Sequence, residues 1–152
     1  MTHSSLDALF IQHVLLPGLE DTYNFKLFVP ERDFVGSDEV DETLDGMTQS
    51  RSVLIVLSQN YLESSKCLFD LAQAFEQRRR YGKRVFAIKL GDIPSACIRQ
   101  NAKVLELLQS ERFVQWPTGY NMTKCKGRSL TTQRQKFWSK LTEELYKGMQ
   151  PC

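Results

Sequence analysis

A parallel α/β sheet with helices on both faces is the fold class this sequence predicts, on three observations. Ser52-Val53-Leu54-Ile55-Val56-Leu57-Ser58 is a continuous apolar, β-branched run, as in a strand buried on both faces. Arg84-Val85-Phe86-Ala87-Ile88-Lys89-Leu90 repeats that character after a helix-length amphipathic segment. Strand and helix patterns alternate along the chain without hairpin signals, so crossovers join the strands.

Taken in order, Ser5 to Leu16 reads as a helix with Leu6, Leu9, Phe10 and His13 on one side, stopped at Pro17-Gly18. Phe25, Leu27 and Val29 alternate with Lys26 and Phe28 as a half-buried strand, limited by Pro30. Glu31 to Ser37 is a charged loop. Asp38 to Gln49 is a helix, because acids crowd its first turns and Val40, Leu44 and Met47 recur at helical spacing. After the 52–58 strand, Ser64 or Ser65 caps a helix whose stripe is Leu68, Leu71, Ala72 and Phe75. It ends at Arg78-Arg79-Arg80-Tyr81-Gly82, with cations at the negative end of the helix dipole and glycine past it. Residues 96–109 form a weaker helix carrying Ile98, Val104, Leu105 and Leu108, and Arg112 to Trp116 an edge strand stopped by Pro117. Thr118 to Ser129 is a polar surface loop. Leu130 to Lys147 closes the chain as an amphipathic helix with Phe137, Trp138, Leu141 and Leu145 inward.

Bulk properties bound the function. The 152 residues make one domain, 1–152, large enough to bury a core, with a short tail at 148–152. A net charge of +2 implies no bulk attraction to nucleic acid or membranes. Cys67, Cys97, Cys125 and Cys152 are too scattered for a zinc site and read as reduced thiols. His3 and His13 are the only histidines, which disfavours a Ser/His/Asp or Cys/His centre, and phosphate-loop and metalloprotease motifs are absent.

Several stretches carry a family resemblance. Glu31-Arg32-Asp33-Phe34-Val35-Gly36 resembles the second conserved box of Toll/interleukin receptor (TIR) domains, R-D-x-x-P-G. Residues 52–71 resemble the strand and helix that follow it, Phe137-Trp138 the third box, and 112–117 the last strand of the Toll-like receptor branch. The resemblance covers roughly 3–147 and implies a flavodoxin-like sheet. It also implies that His3-Ser4 stands at the end of the first box, whose strand should precede it. The expectation is therefore a sheet lacking its first strand, in a truncated or spliced chain. The second and third strands would then pair directly, or a strand would be borrowed from another molecule.

The resemblance implies a non-enzymatic signalling module in the cytoplasm that associates with other TIR domains, its own kind or adaptors and receptors. The contact loop is Arg32, Asp33, Phe34, Val35, Gly36 and Ser37, since loops at the carboxyl ends of parallel strands carry function and an aromatic beside an arginine suits an interface. In the competing structural reading, Phe34 tucks under the loop and Arg32 pairs with Asp33 or Asp38. Val35 precedes Gly36 where the family has proline, so a specificity carried by that proline does not transfer.

Some family members hydrolyse NAD through a glutamate in W-C-L-x-E-L, and Lys66-Cys67-Leu68-Phe69-Asp70-Leu71 aligns with that motif. Asp70 is the candidate catalytic carboxylate of this alternative. It is one methylene shorter than glutamate, and a misplacement of about 1 Å can cost roughly 100-fold in rate. A solvated Asp70 early in its helix is the plainer reading. Phe137 and Trp138 read as packing residues, with a recognition role as the alternative. The Arg78–Arg80 run and the acidic 38–45 face suggest head-to-tail association of copies. No metal or cofactor is expected, NAD entering only as the substrate of the alternative.

Overall fold

The computed structural model describes residues 1–33, 39–117 and 130–149. Three parallel strands, β1 (Ser52–Leu57), β2 (Arg84–Lys89) and β3 (Phe113–Gln115), lie side by side in that order. The register pairs Val53 with Val85, Ile55 with Ala87, and Ile88 with Val114. Helices α3 (Glu39–Gln49), α4 (Gln59–Glu63), α5 (Ser65–Tyr81), α6 (Ser95–Arg99), α7 (Ala102–Gln109) and α8 (Leu130–Met149) fill the connections and the C-terminal end. A helical run over 5–22, here α1, and the short α2 (Pro30–Asp33) precede them.

Alternation along the strands builds two core layers. Val53, Ile55, Leu57, Val85 and Ala87 face Met47 of α3, Leu71 and Ala74 of α5, and Val104 and Leu107 of α7. Leu54, Val56, Phe86, Ile88 and Val114 face Ile11, Leu15 and Leu19 of α1 and Phe137, Leu141 and Leu145 of α8. The predicted sandwich of helices around a parallel sheet is thus present.

The caps follow their side-chain chemistry. The Ser64 hydroxyl accepts from the Cys67 N–H at 3.3 Å to open α5, and Gly82 closes it at φ +65°. Lys83 Nζ donates to the Met47 and Thr48 carbonyls at the end of α3, both at 2.5 Å. Asn101 divides the helix predicted over 96–109 in two, because its side chain caps the Lys103 and Val104 amides. Of the predicted stripe Leu68, Leu71, Ala72 and Phe75, Leu71 is fully buried and Leu68 and Phe75 pack half-buried against the core, while the most buried line of α5 runs through Cys67, Asp70, Leu71 and Ala74.

Three expectations are corrected. Pro17-Gly18 does not stop α1, which continues to Thr22 through wide turns over Ile11–Leu15 and Pro17–Thr22. Such turns tolerate a residue without an N–H, and Gly18 is needed because a Cβ there would come within 2.2 Å of the Trp138 ring. The buried face of α1 is Ile11, Leu15 and Leu19, while Leu6 and Leu9 are 76% and 72% exposed and His13 is exposed. The widened turns rotate the face away from ordinary helical spacing.

The segment 25–29 forms no sheet ladder among the described residues, and it does not pair directly with β1. Between the two, the Thr2 N–H donates to the Leu54 carbonyl and the Val56 N–H to the Thr2 carbonyl, each at 2.9 Å. The Met1 amino group donates across to the Phe28 carbonyl at 2.8 Å. Burial pulls the pKa of that group down to about 6, against the raising influence of Asp70 and Asp33. A two-residue strand stub therefore holds the lane beside β1, and Phe25–Val29 stays one lane out.

Candidate partner-binding site

Arg32 and Asp33 sit at the end of α2, and the structure gives both a local structural task. The Asp33 carboxylate accepts from its neighbour Arg32 at 2.9 and 3.0 Å and from the Val29 N–H at 2.9 Å. The Arg32 guanidinium also binds Glu20 of α1 and donates to the Leu27 carbonyl at 3.1 Å. Arg32 foremost, with help from the Val29 amide, holds the Asp33 carboxyl below its ordinary pKa. The pairing expected from the structural reading of this loop is present. Phe34, Val35, Gly36 and Ser37 lie outside the described residues.

The group is a clasp between α1, the 25–29 segment and α2. Because the folded pKa of Asp33 is depressed, its contribution is present at neutral pH and is lost as pH falls through that depressed value. Replacing Asp33 with Ala is expected to lower stability by about 1 kcal/mol in urea unfolding, given partial solvent exposure of the pair.

Asp70 is not the solvated aspartate of the plainer reading. It is 8% exposed on the inward face of α5. Its charge acts on the Met1 amine, the Tyr61 phenol and the Cys67 thiol, which places it in the interior near the start of the chain. Burial raises the pKa of Tyr61 and of Cys67, so both are neutral at pH 7.

Around it lies a polar cluster that the sequence reading missed. The Thr2 hydroxyl pairs with the Tyr61 hydroxyl at 2.7 Å, and the Cys67 thiol lies 3.7 Å from the His3 carbonyl. Asp7 accepts from Ser58 Oγ at 2.5 Å and from Asn60 Nδ2 at 3.1 Å. Ser58 in turn caps α4 through the Tyr61 N–H. A serine ending an apolar strand was a legible cap signal, but the distant Asp7 was not.

Phe137 is buried and Trp138 half-buried, and both join an aromatic group around Trp116 rather than forming a free surface. The Arg78–Arg80 run is largely engaged, Arg79 and Arg80 with Glu76 and Arg78 with Glu106. A groove of about 710 Å³ runs between β1, the 25–28 segment and the end of α3, and Asp70 does not line it. Among the described residues no cluster of His, Cys, Asp and Glu could hold a metal, and no helix is long and apolar enough to cross a membrane.

The TIR domain family model matches residues 3–151. The chain belongs to the TIR domain family. Toll-like receptor 2 of Capra hircus is 27% identical over 93% of this chain, and Toll-like receptor 4 of Sus scrofa 25% identical over 96%. This TIR chain spans 16–17% of the length of those relatives. Among solved structures, the TIR domain of the Toll-related receptor TRR-2 from Hydra magnipapillata superposes with a TM-score of 0.63 at 16% identity, over 94% of this chain and 93% of that one. The TIR domains of the activated Roq1 resistosome, which recognises the pathogen effector XopQ, give 0.52 at 16%, over 88% and 77%. These structural likenesses establish the fold.

Proposed function

We propose that this TIR domain is a non-enzymatic signalling module of Toll-like innate immunity, acting in the cytoplasm by association with other TIR domains. The observation that carries the reading is the position of Asp70. The carboxylate on which NAD cleavage would depend is packed on the inward face of α5 and lies outside the lining of the groove. A catalytic carboxylate must reach its substrate.

The similarity to Toll-like receptors 2 and 4 supports a place in that signalling class. Leu6 and Leu9 on α1 and Phe69 on α5 are large exposed apolar residues. They offer material for a contact surface.

The alternative, NAD hydrolysis through Asp70, draws on the burial of that carboxylate beside Tyr61 and Cys67, since perturbed surroundings are typical of catalytic groups. Two measurements separate the readings. NAD consumption is expected to be absent at high protein concentration, and turnover that vanishes in Asp70→Ala would overturn the scaffold. Light scattering is expected to show concentration-dependent self-association that the double variant Leu6→Asp, Leu9→Asp removes while its circular dichroism stays native. A wild-type chain that stays monomeric and ignores Toll-like receptor TIR domains would also sink it.

A further inference from the structure

The guanidinium of Arg32 is held from two directions. Within its own stretch of chain, Nε and Nη2 donate to the Asp33 carboxylate at 2.9 and 3.0 Å, and Nη2 also reaches the Leu27 carbonyl at 3.1 Å. Asp33 is itself fixed by the Val29 N–H at 2.9 Å. These local contacts set the plane of the guanidinium and the place of α2. Nη1 stands apart, because Glu20 of α1 is its one partner among the described residues.

Glu20 is therefore not needed to aim Arg32, yet it occupies the side of the guanidinium that the local contacts leave open. The pair is reached by water, the Arg32 side chain being 42% exposed and that of Glu20 27%. An ion pair so exposed is weak, since water screens it and two long side chains lose freedom to make it. A carboxylate from outside can replace Glu20 there at little desolvation cost. It would meet donors that Asp33 and Leu27 already hold in orientation, and a guanidinium fork suits a carboxylate better than a point charge does.

We propose, on the reading of the domain as a TIR-association module, that Glu20 is an autoinhibitory latch standing in for a partner's carboxylate at Arg32. The partner surface is then one that presents an Asp or Glu side chain to Nη1. In the free domain Glu20 holds that position. In the complex the incoming carboxylate takes it and Glu20 turns to water, while the Asp33–Val29 bond keeps α2 in place. Association forgoes the Arg32–Glu20 pair, so its affinity is lowered by the worth of that contact.

The test measures self-association by light scattering and titrates the chain with the TIR domain of Toll-like receptor 2. Glu20→Gln is expected to tighten association about two- to fivefold, the worth of an exposed ion pair. Asp21 is exposed, follows Glu20 on α1 and makes no ion pair among the described residues. Asp21→Asn removes the same charge and is expected to leave association within about 1.5-fold. Arg32→Gln is expected to weaken association, and Glu20→Gln to add nothing in that background. Association unchanged or weakened by Glu20→Gln overturns the latch, as does equal tightening by Asp21→Asn or tightening that persists without Arg32. A chain that stays monomeric and binds no TIR domain overturns both the latch and the function beneath it. Intact association with a silent Glu20→Gln overturns the latch alone.

Discussion

Trp116→Ala is expected to lower the free energy of unfolding by about 3–5 kcal/mol, measured by denaturant titration. Trp116 follows β3 directly and is 8% exposed. Its ring is met edge-on by Phe10 at 5.1 Å and Phe137 at 4.7 Å, with interplanar angles of 68° and 89°. Trp138 stands 6.3 Å away, and the Arg134 guanidinium lies over the ring at 5.6 Å. These partners come from α1 and α8, so one side chain joins both helices of this layer to the edge of the sheet. Truncation leaves a cavity bordered by rings on rigid helices, which cannot collapse to fill it. Because Phe137 shares the contact, Trp116→Ala and Phe137→Ala together are expected to cost less than the sum of their separate effects.

That cluster shows where sequence reading succeeds. Phe137 and Trp138 announce themselves as inward residues through helical spacing, whereas the edge strand over 112–116 gave no sign that Trp116 is buried. The sheet was legible for a similar reason. β1 and β2 are buried on both faces, so their apolar character is continuous and survives any error in register. Local chemistry also set the ends of α5, where Ser64 and Gly82 act through their own backbone surroundings.

What the sequence concealed depends on contacts between distant parts of the chain. Phe25–Val29 has the alternation of a strand, yet strand formation needs a partner in the adjacent lane, and among the described residues that lane is held by Met1 and Thr2. The face of α1 was misread because its turns are wider than 3.6 residues, a feature no spacing rule anticipates. Asp70 was misplaced because the inward stripe of α5 admits a carboxylate only once the polar groups around Tyr61 are brought to it. Of the contact loop, the Arg32–Asp33 pairing could be read from adjacency, whereas the Glu20 partner on α1 could not.

The second large effect belongs to Asp7, where Asp7→Ala is expected to destabilise the domain by about 2–3 kcal/mol. Asp7 is 9% exposed, and its carboxylate takes hydrogen bonds from Ser58 and Asn60 across more than fifty residues of sequence. Hydrogen bonds to a charged acceptor are the stronger kind, and their removal leaves the buried Ser58 hydroxyl without its acceptor. Ser58 also accepts from the Tyr61 N–H, and Tyr61 holds Thr2 in the lane beside β1. The damage should therefore spread from α1 to the strand stub. Asp7→Asn, which keeps one acceptor oxygen and the volume, should recover part of the loss. Leu9→Ala, an exposed position on the same helix, should change stability by no more than about 0.5 kcal/mol. Equal losses for Asp7→Ala and Leu9→Ala would mean that α1 is held by its apolar face alone. The predicted contrast would instead make the Asp7–Ser58 bond the fastening between the start of the chain and the carboxyl end of β1.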